Sequence, residues 1–250
     1  MSGAPVTDRR RQLNDAQWLQ AMGIDPFWIE SPGAQREVPA PSASPVNAST
    51  VVAAPRDIDK PVSGDWPGLE TAIRQCRACE LCKGRKQAVP GTGDRRASWL
   101  MVGEAPGAEE DVAGLPFVGK AGKLLDAMLA ALNLKRETGV YIANAVKCRP
   151  PENRTPDGAE IDACNHFLAQ QIDLIQPEVI VALGKPAAYA LLGHADSIQS
   201  LRGAVQYREQ GGRRIPVIVT YHPAYLLRQP EEKWKSWQDL LLAASVLDGR

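Results

Sequence analysis

The sequence predicts an α/β fold built on a central, mainly parallel four-stranded sheet. Four short apolar runs, at 99–102, 140–146, 179–183 and 215–220, have the length and composition of strands buried on both faces. Stretches of helical periodicity at 120–133, 157–175, 185–192 and 232–247 separate and follow them. Strand and helix alternate, and such alternation builds a parallel sheet covered on both sides.

Ahead of this region the composition changes. Residues 15–28 place Trp18, Leu19, Met22 and Ile24 near one helical face, with Gly23 as a stop, and read either as a docking peptide for a protein partner or as a helix packed loosely on its own domain. From Pro32 to Asp65 the chain is rich in Pro, Ala, Ser and Val. Such a segment buries too little apolar surface to offset its ordering entropy, so 1–65 reads as a short helix on a disordered linker. The folded domain is expected over 66–250, opening with a helix from Leu69 that runs into Cys76. Within the third gap, Ala204 to Arg208 ahead of Gly211-Gly212 predicts an extra ribbon.

Composition narrows the function classes. The formal net charge is zero over 250 residues, which gives no global support for a nucleic-acid or membrane partner, although a local basic rim remains compatible with it. No apolar stretch reaches the roughly 18 residues of a membrane span. The first residues lack a basic-then-apolar leader, so the expected compartment is the cytoplasm, at the nucleoid. A monomer is the expected state. In a reducing compartment five cysteines read as metal ligands or spare thiols before disulfides.

Parallel strands share one carboxyl edge, and the four predicted strands end on chemistry-bearing residues. They are Gly103-Glu104 after the first, Asn144 and Cys148 at the second, Gly184-Lys185 after the third and Tyr221-His222-Pro223 after the fourth. Four separate stretches should therefore meet at one crevice. Asn144 carries both a donor and an acceptor, as reading a nucleobase edge requires. Phe117, in a Gly/Pro loop, is either core or a stacking platform for a base. Lys147, Arg149, Arg154 and Arg228 supply candidate phosphate contacts. Leu226 and Leu227 beside Arg228 resemble an apolar wedge with a cation, the tool for opening a base step, unless they begin a helix and face the core.

Cys76-x-x-Cys79 with the distant Cys148 and Cys164 can close a four-thiolate site for zinc or an iron–sulfur cluster. Cys82 extends the pattern to Cys-x-x-Cys-x-x-Cys, so spacing alone leaves any four of the five as ligands. No Walker loop or dinucleotide fingerprint is present, because Gly91-Thr-Gly93 lacks the lysine and the helix that phosphate binding needs.

Gly103-Glu-Ala-Pro-Gly107 with Glu110-Asp111, the run from Pro116 to Gly122, the run from Asn144 to Arg154 and the run from His222 to Leu227 together resemble the family-4 uracil-DNA glycosylases. The resemblance covers about residues 66–250, with the motifs in order. It implies a three-layer α/β/α fold, a 4Fe–4S cluster and hydrolysis of the N-glycosidic bond of uracil in single- or double-stranded DNA, leaving an abasic site for base excision repair. It implies cluster ligands at Cys76, Cys79, Cys148 and Cys164, with Cys82 spare, and a cluster that shapes the DNA-facing segment between Cys148 and Cys164. Phe117 would stack on uracil, Asn144 would read its polar edge, His222 would face its oxygen, and Glu104, Ala105 and Gly107 would line the floor.

Ala105 stands where the more active members of the wider superfamily place an aspartate, so the catalytic candidates are His222 with Glu104 or Glu110. No lysine lies in a motif for a Schiff base, which predicts monofunctional excision. Two other classes fit parts of the pattern. A non-catalytic DNA-binding or replication-associated module would keep the fold without excision, and a small redox protein would need the cysteines but not Asn144, Phe117 or His222.

Overall fold

The structure, a computed structural model, describes residues 64–249 except 195. The helix expected at 15–28 and the linker up to residue 63 lie outside the described residues. Six strands form one sheet: β1 (Thr92–Gly93), β2 (Trp99–Gly103), β3 (Val140–Asn144), β4 (Val179–Leu183), β5 (Val205–Gln210) and β6 (Arg213–Thr220). Their order is β1-β3-β2-β4-β6-β5. The inner four, β3-β2-β4-β6, run parallel, and β1 and β5 close the edges antiparallel.

These four parallel strands are the four apolar runs of the sequence. Every residue of β2, β3 and β4 is buried, which is why they read as continuous apolar stretches with no alternation. β5 is the ribbon expected ahead of Gly211-Gly212. Both glycines take positive φ (57° and 71°), the conformation of a tight hairpin whose twist matches its strands. Strand β1, only two residues long, has no signal in the sequence.

Helices cover both faces. Leu100, Val102, Tyr141, Ala143, Ile180, Ala182, Val217 and Val219 share one core cluster with Leu69 and Ile73 of the helix Trp66–Gln75 and Ile161, Leu168 and Ile172 of the helix Gly158–Ile175. On the opposite face, the helix Lys233–Asp248 packs on β4 and β6, and the helix Lys120–Ala131 packs on the helix Pro223–Arg228. Asp65 caps Trp66–Gln75 by accepting from Gly68 N at 3.0 Å, and Asp157 with Glu160 forms a reciprocal box at the start of Gly158–Ile175.

The order places β2 between its two successors β3 and β4. The chain leaves β2 to one side and then crosses back over it, so the loops at the carboxyl ends of β2 and β4 diverge. That fork is the switch point at which open α/β sheets bind ligands.

Two expectations are corrected here. Lys147 is not a phosphate contact: it is 1% exposed, and its Nζ donates to Asn144 O at 2.8 Å and Gln171 Oε1 at 2.6 Å. Burial draws its pKa down to about 8. Leu226 is not half of a wedge. Pro223 starts a helix rather than only stopping the strand, and neighbouring helical residues point about 100° apart. Leu226 therefore enters the core at 1% exposure while Leu227 stays 44% exposed.

Leu226→Ala is expected to lower the unfolding free energy by about 3 kcal/mol, and Leu227→Ala to change it by less than about 0.5 kcal/mol. Urea unfolding of the two variants checks this. Equal stabilities would return Leu226 to the surface.

Candidate active site

The site is organised by a missing side chain. Gly103 ends β2 in register with Asn144, the last residue of β3. A Cβ at Gly103 would stand 2.4 Å from Asn144 Oδ1 and 2.5 Å from Phe117 Cζ. Only glycine allows the carboxamide and the ring to close on the strand end together. Asn144 is 2% exposed, and its Oδ1 has no hydrogen-bond partner among the described residues. A buried acceptor left open in this way is costly unless a ligand completes it.

Phe117 adopts a left-handed backbone conformation (φ 54°), a cost on the order of 1–3 kcal/mol for an aromatic residue. The turn aims its ring, 6% exposed, at His222, with ring centroids 5.5 Å apart and planes 29° from parallel. Gly122 makes room for the same turn, since a Cβ there would lie 1.8 Å from Phe117 O.

His222 follows β6 and caps the helix Pro223–Arg228. Its Nδ1 accepts from Ala224 N at 3.1 Å, which leaves the ring proton on Nε2. Burial and then the Arg228 charge pull its pKa down to about 4 against the opposing Glu110, so the imidazole is a neutral donor at neutral pH.

The two candidate carboxylates have separate roles. Glu110 spends both oxygens on backbone N–H groups, Oε2 accepting from Gly107 at 3.1 Å and Oε1 from Val118 at 2.9 Å and Gly119 at 3.1 Å. It ties the Gly103–Gly107 turn to the Phe117 loop. Glu104 is half-buried in the cleft. Burial pushes its carboxyl pKa up, opposed by a hydrogen bond with Thr155 and by the Arg228 charge.

These residues, with Ala105 and Gly107, line a cleft of roughly 900 Å³ at the sheet's carboxyl edge. Arg154 and Arg228 also line it. Arg154 is held by Glu160 through contacts of 2.8 and 2.6 Å, and Arg149 lies apart with Nε donating to Asn153 Oδ1 at 2.8 Å. Sequence reasoning passed over Thr155, which bonds Glu104, and Arg136, which holds the Phe117 turn from behind. Their signals are tertiary: neither lies in a motif that names its partner.

None of the cysteines lines this cleft; Cys148 and Cys164 are buried, and Cys76, Cys79 and Cys82 are half-buried. The nearby Cys79 and Cys76 add to a raised pKa at Cys148, and Cys148 and Cys76 to one at Cys164, each a smaller effect than burial. Burial raises the pKa of Cys79 and Cys148 and pushes Cys164 up to about 12. Cys82 acts on Cys79 and Lys83. Among the described residues no three Cys, His, Asp or Glu side chains already stand in metal-ligating geometry. The donor set nevertheless fits a thiolate-bound metal. All five cysteines are free, Cys148 and Cys164 are buried, and the Arg85 guanidinium donates to Cys148 Sγ at 2.8 Å and to the carbonyls of Arg74 and Cys76 at 2.7 and 2.9 Å. A cation on sulfur stabilises the thiolate that such a metal requires.

The sequence model of the Uracil DNA glycosylase superfamily matches residues 90–241, which carry every cleft residue named above. A type-4 uracil-DNA glycosylase of Archaeoglobus fulgidus is 45% identical over 163 residues, 64% of this chain and 81% of that protein. One from Thermotoga maritima is 48% identical over 158 residues, 62% of this chain and 80% of that protein. A type-5 uracil-DNA glycosylase of Thermus thermophilus is 34% identical over 190 residues, 61% of this chain and 85% of that protein. With its switch-point cleft and these relatives, the chain belongs to the uracil DNA glycosylase superfamily, among the type-4 uracil-DNA glycosylases.

Proposed function

We propose that this protein removes uracil from DNA by hydrolysing the N-glycosidic bond, leaving an abasic site for base excision repair. The observation that carries the reading is the open Asn144 Oδ1, buried between the Phe117 ring and the end of β2. Uracil offers an N–H donor flanked by two carbonyls. The Asn144 carboxamide matches one donor–acceptor pair of that edge, and the Phe117 ring supplies the stacking face that the base loses on leaving the duplex.

Bond cleavage leaves negative charge on the uracil oxygens and positive charge on the sugar. His222, neutral with its proton on Nε2, donates to the developing anion, and a donor fixed in a water-poor cleft is worth several kcal/mol there. Glu104 carries the remaining acid–base role. Ala105 has no group to hold a water, and Glu110 has committed both oxygens to the loop. A half-buried carboxylate beside the sugar stabilises its positive charge and accepts a proton from the attacking water. Arg154 and Arg228, on the cleft wall, and Arg149 are the proposed phosphate contacts, with Leu227 the exposed member of the Leu226–Leu227 pair.

Cys76, Cys79, Cys148 and Cys164 are the proposed ligands of a 4Fe–4S cluster, with Cys82 spare. Bound there, the cluster would act structurally, fixing the segment between Cys148 and Cys164 that carries Arg154 and Thr155 to the cleft. The partner is uracil-containing DNA, and the expected state is a monomer working at the nucleoid. No helix among the described residues is long and apolar enough to cross a membrane. Residues 15–28 remain the candidate docking segment for a protein partner.

Purified protein should release free uracil from a single-stranded oligonucleotide and leave an alkali-labile site, with Asn144→Ala slower by on the order of 100-fold. Binding of uracil-containing DNA without release at stoichiometric enzyme would instead indicate a non-catalytic module. Glu104→Gln should lose rate at unchanged thermal stability, whereas Glu110→Gln should lower the melting temperature. The reverse pattern would exchange their roles.

The pH profile has a defined sign. Glu104 must be ionised and its pKa is raised, so the rate falls as pH drops through a value above the ordinary 4.5. His222 stays neutral until about pH 4 and leaves that limb unaffected. Single-turnover rates should therefore show an acid limb that disappears in Glu104→Gln.

Cys148→Ser should lose iron and Cys82→Ser retain it, measured by iron content and visible absorbance. Equal retention would overturn the ligand set.

A further inference from the structure

Phe117 holds an unfavourable backbone conformation, and one side chain outside every motif faces the back of that turn. Arg136 follows the helix Lys120–Ala131. Its Nη1 donates to Pro116 O at 3.0 Å, and its Nη2 to Phe117 O at 2.6 Å and Gly122 O at 3.3 Å. Its Nε pairs with the Asp126 carboxylate, and the side chain is 19% exposed. One guanidinium thus satisfies three carbonyls of the Phe117 loop and the following helix start, and is itself held by an acid on that helix.

We propose that Arg136 is a positioning residue for base recognition, which sets the Phe117 ring in its stacking place without touching the base. Three observations converge on that role. Phe117 sits at φ 54°, which an aromatic residue leaves unless the surroundings hold it. The Gly122 position admits Phe117 O only because it lacks a Cβ, so this carbonyl has one fixed place, and Arg136 meets it there. On the other side, the ring rests against Gly103 and His222, so the carbonyl and the ring of one residue are gripped from opposite sides. A planar fork can bridge several carbonyls at fixed angles, whereas an ammonium cannot reproduce that geometry. Without the fork the loop can relax toward negative φ, and the ring swings away from Asn144 and His222.

The inference rests on the assignment of Phe117 as the stacking ring, and a double-mutant cycle separates the two. Under single-turnover conditions, Arg136→Ala and Arg136→Lys should each slow uracil release by on the order of 10- to 100-fold, the cost of misplacing a binding group by about an ångström. Affinity for uracil-free DNA and its salt dependence should not change, since Arg136 meets carbonyls rather than phosphate. Phe117→Ala should also slow release, and adding Arg136→Ala to it should cost less than about twofold more.

The full Arg136→Ala loss repeated in the Phe117→Ala background would overturn the positioning role, as would a loss of affinity for uracil-free DNA. Unimpaired release by Phe117→Ala alone would sink the stacking assignment and this inference with it. Should Arg136→Ala fail to fold, Asp126→Ala supplies the same test, because it removes the acceptor of Arg136 Nε while leaving every cleft residue in place. Its rate loss must likewise vanish in the Phe117→Ala background.

Discussion

The structure depends on one close approach, in which a ring and a carboxamide meet at a strand end that carries no side chain. Gly103 puts Asn144 Oδ1 and the Phe117 ring where any Cβ would collide with both. The sheet supplies one half of this contact, because the parallel register of β2 with β3 sets Gly103 opposite Asn144. The loop supplies the other half at the cost of a left-handed phenylalanine, with a second Cβ-free position at Gly122. Close packing of this kind has discrete solutions rather than a continuum. The ring is therefore in place or it is not, and the elements around it can be understood as means of holding it in place.

Glu104 and Glu110, six residues apart in sequence, show how environment divides labour between like groups. Glu110 accepts from three backbone N–H groups and joins two loops that would otherwise move apart. Glu104 faces the cleft, where burial favours its neutral form and the Arg228 charge opposes that tendency. A carboxylate saturated by amides is an anchor, and one held at an elevated pKa in a cleft is equipped for proton chemistry. His222 completes the set as a neutral donor, its tautomer chosen by the amide of Ala224.

The cysteine hairpin is wired to this site through side chains rather than through the sheet. Asp111, on the short helix that begins at Ala108, accepts from Lys86 N at 2.9 and 3.0 Å, next to the Arg85 that donates to Cys148 Sγ. Lys147 bridges Asn144 O to Gln171, and Gln171 Nε2 donates to Pro90 O at 2.7 Å. Each link satisfies a buried polar group while fixing one segment against another. Buried networks of this type are stabilising only when every member is paired.

By itself the sequence determined the four parallel strands, the long helices between them and the convergence of Glu104, Asn144 and His222. Apolar runs, helical periodicity and strand-end residues are local signals, and the shared carboxyl edge of parallel strands turns them into one place. It also picked out Phe117 and Ala105, which line the same cleft, through the motifs that carry the family resemblance. The tertiary structure alone decided the facing of individual side chains. Lys147 and Arg154 look alike in sequence, yet one is sealed under a helix and the other lines the cleft. Leu226 and Leu227 are neighbours divided by a helix that the sequence also allowed to be a loop. Glu104 and Glu110 could be told apart only by counting the amides around each, and Arg136 gained its role from carbonyls 14 to 20 residues away. Local pattern sets the backbone, but which way a polar side chain turns is set by partners distant in sequence, and those exist only once the chain has folded.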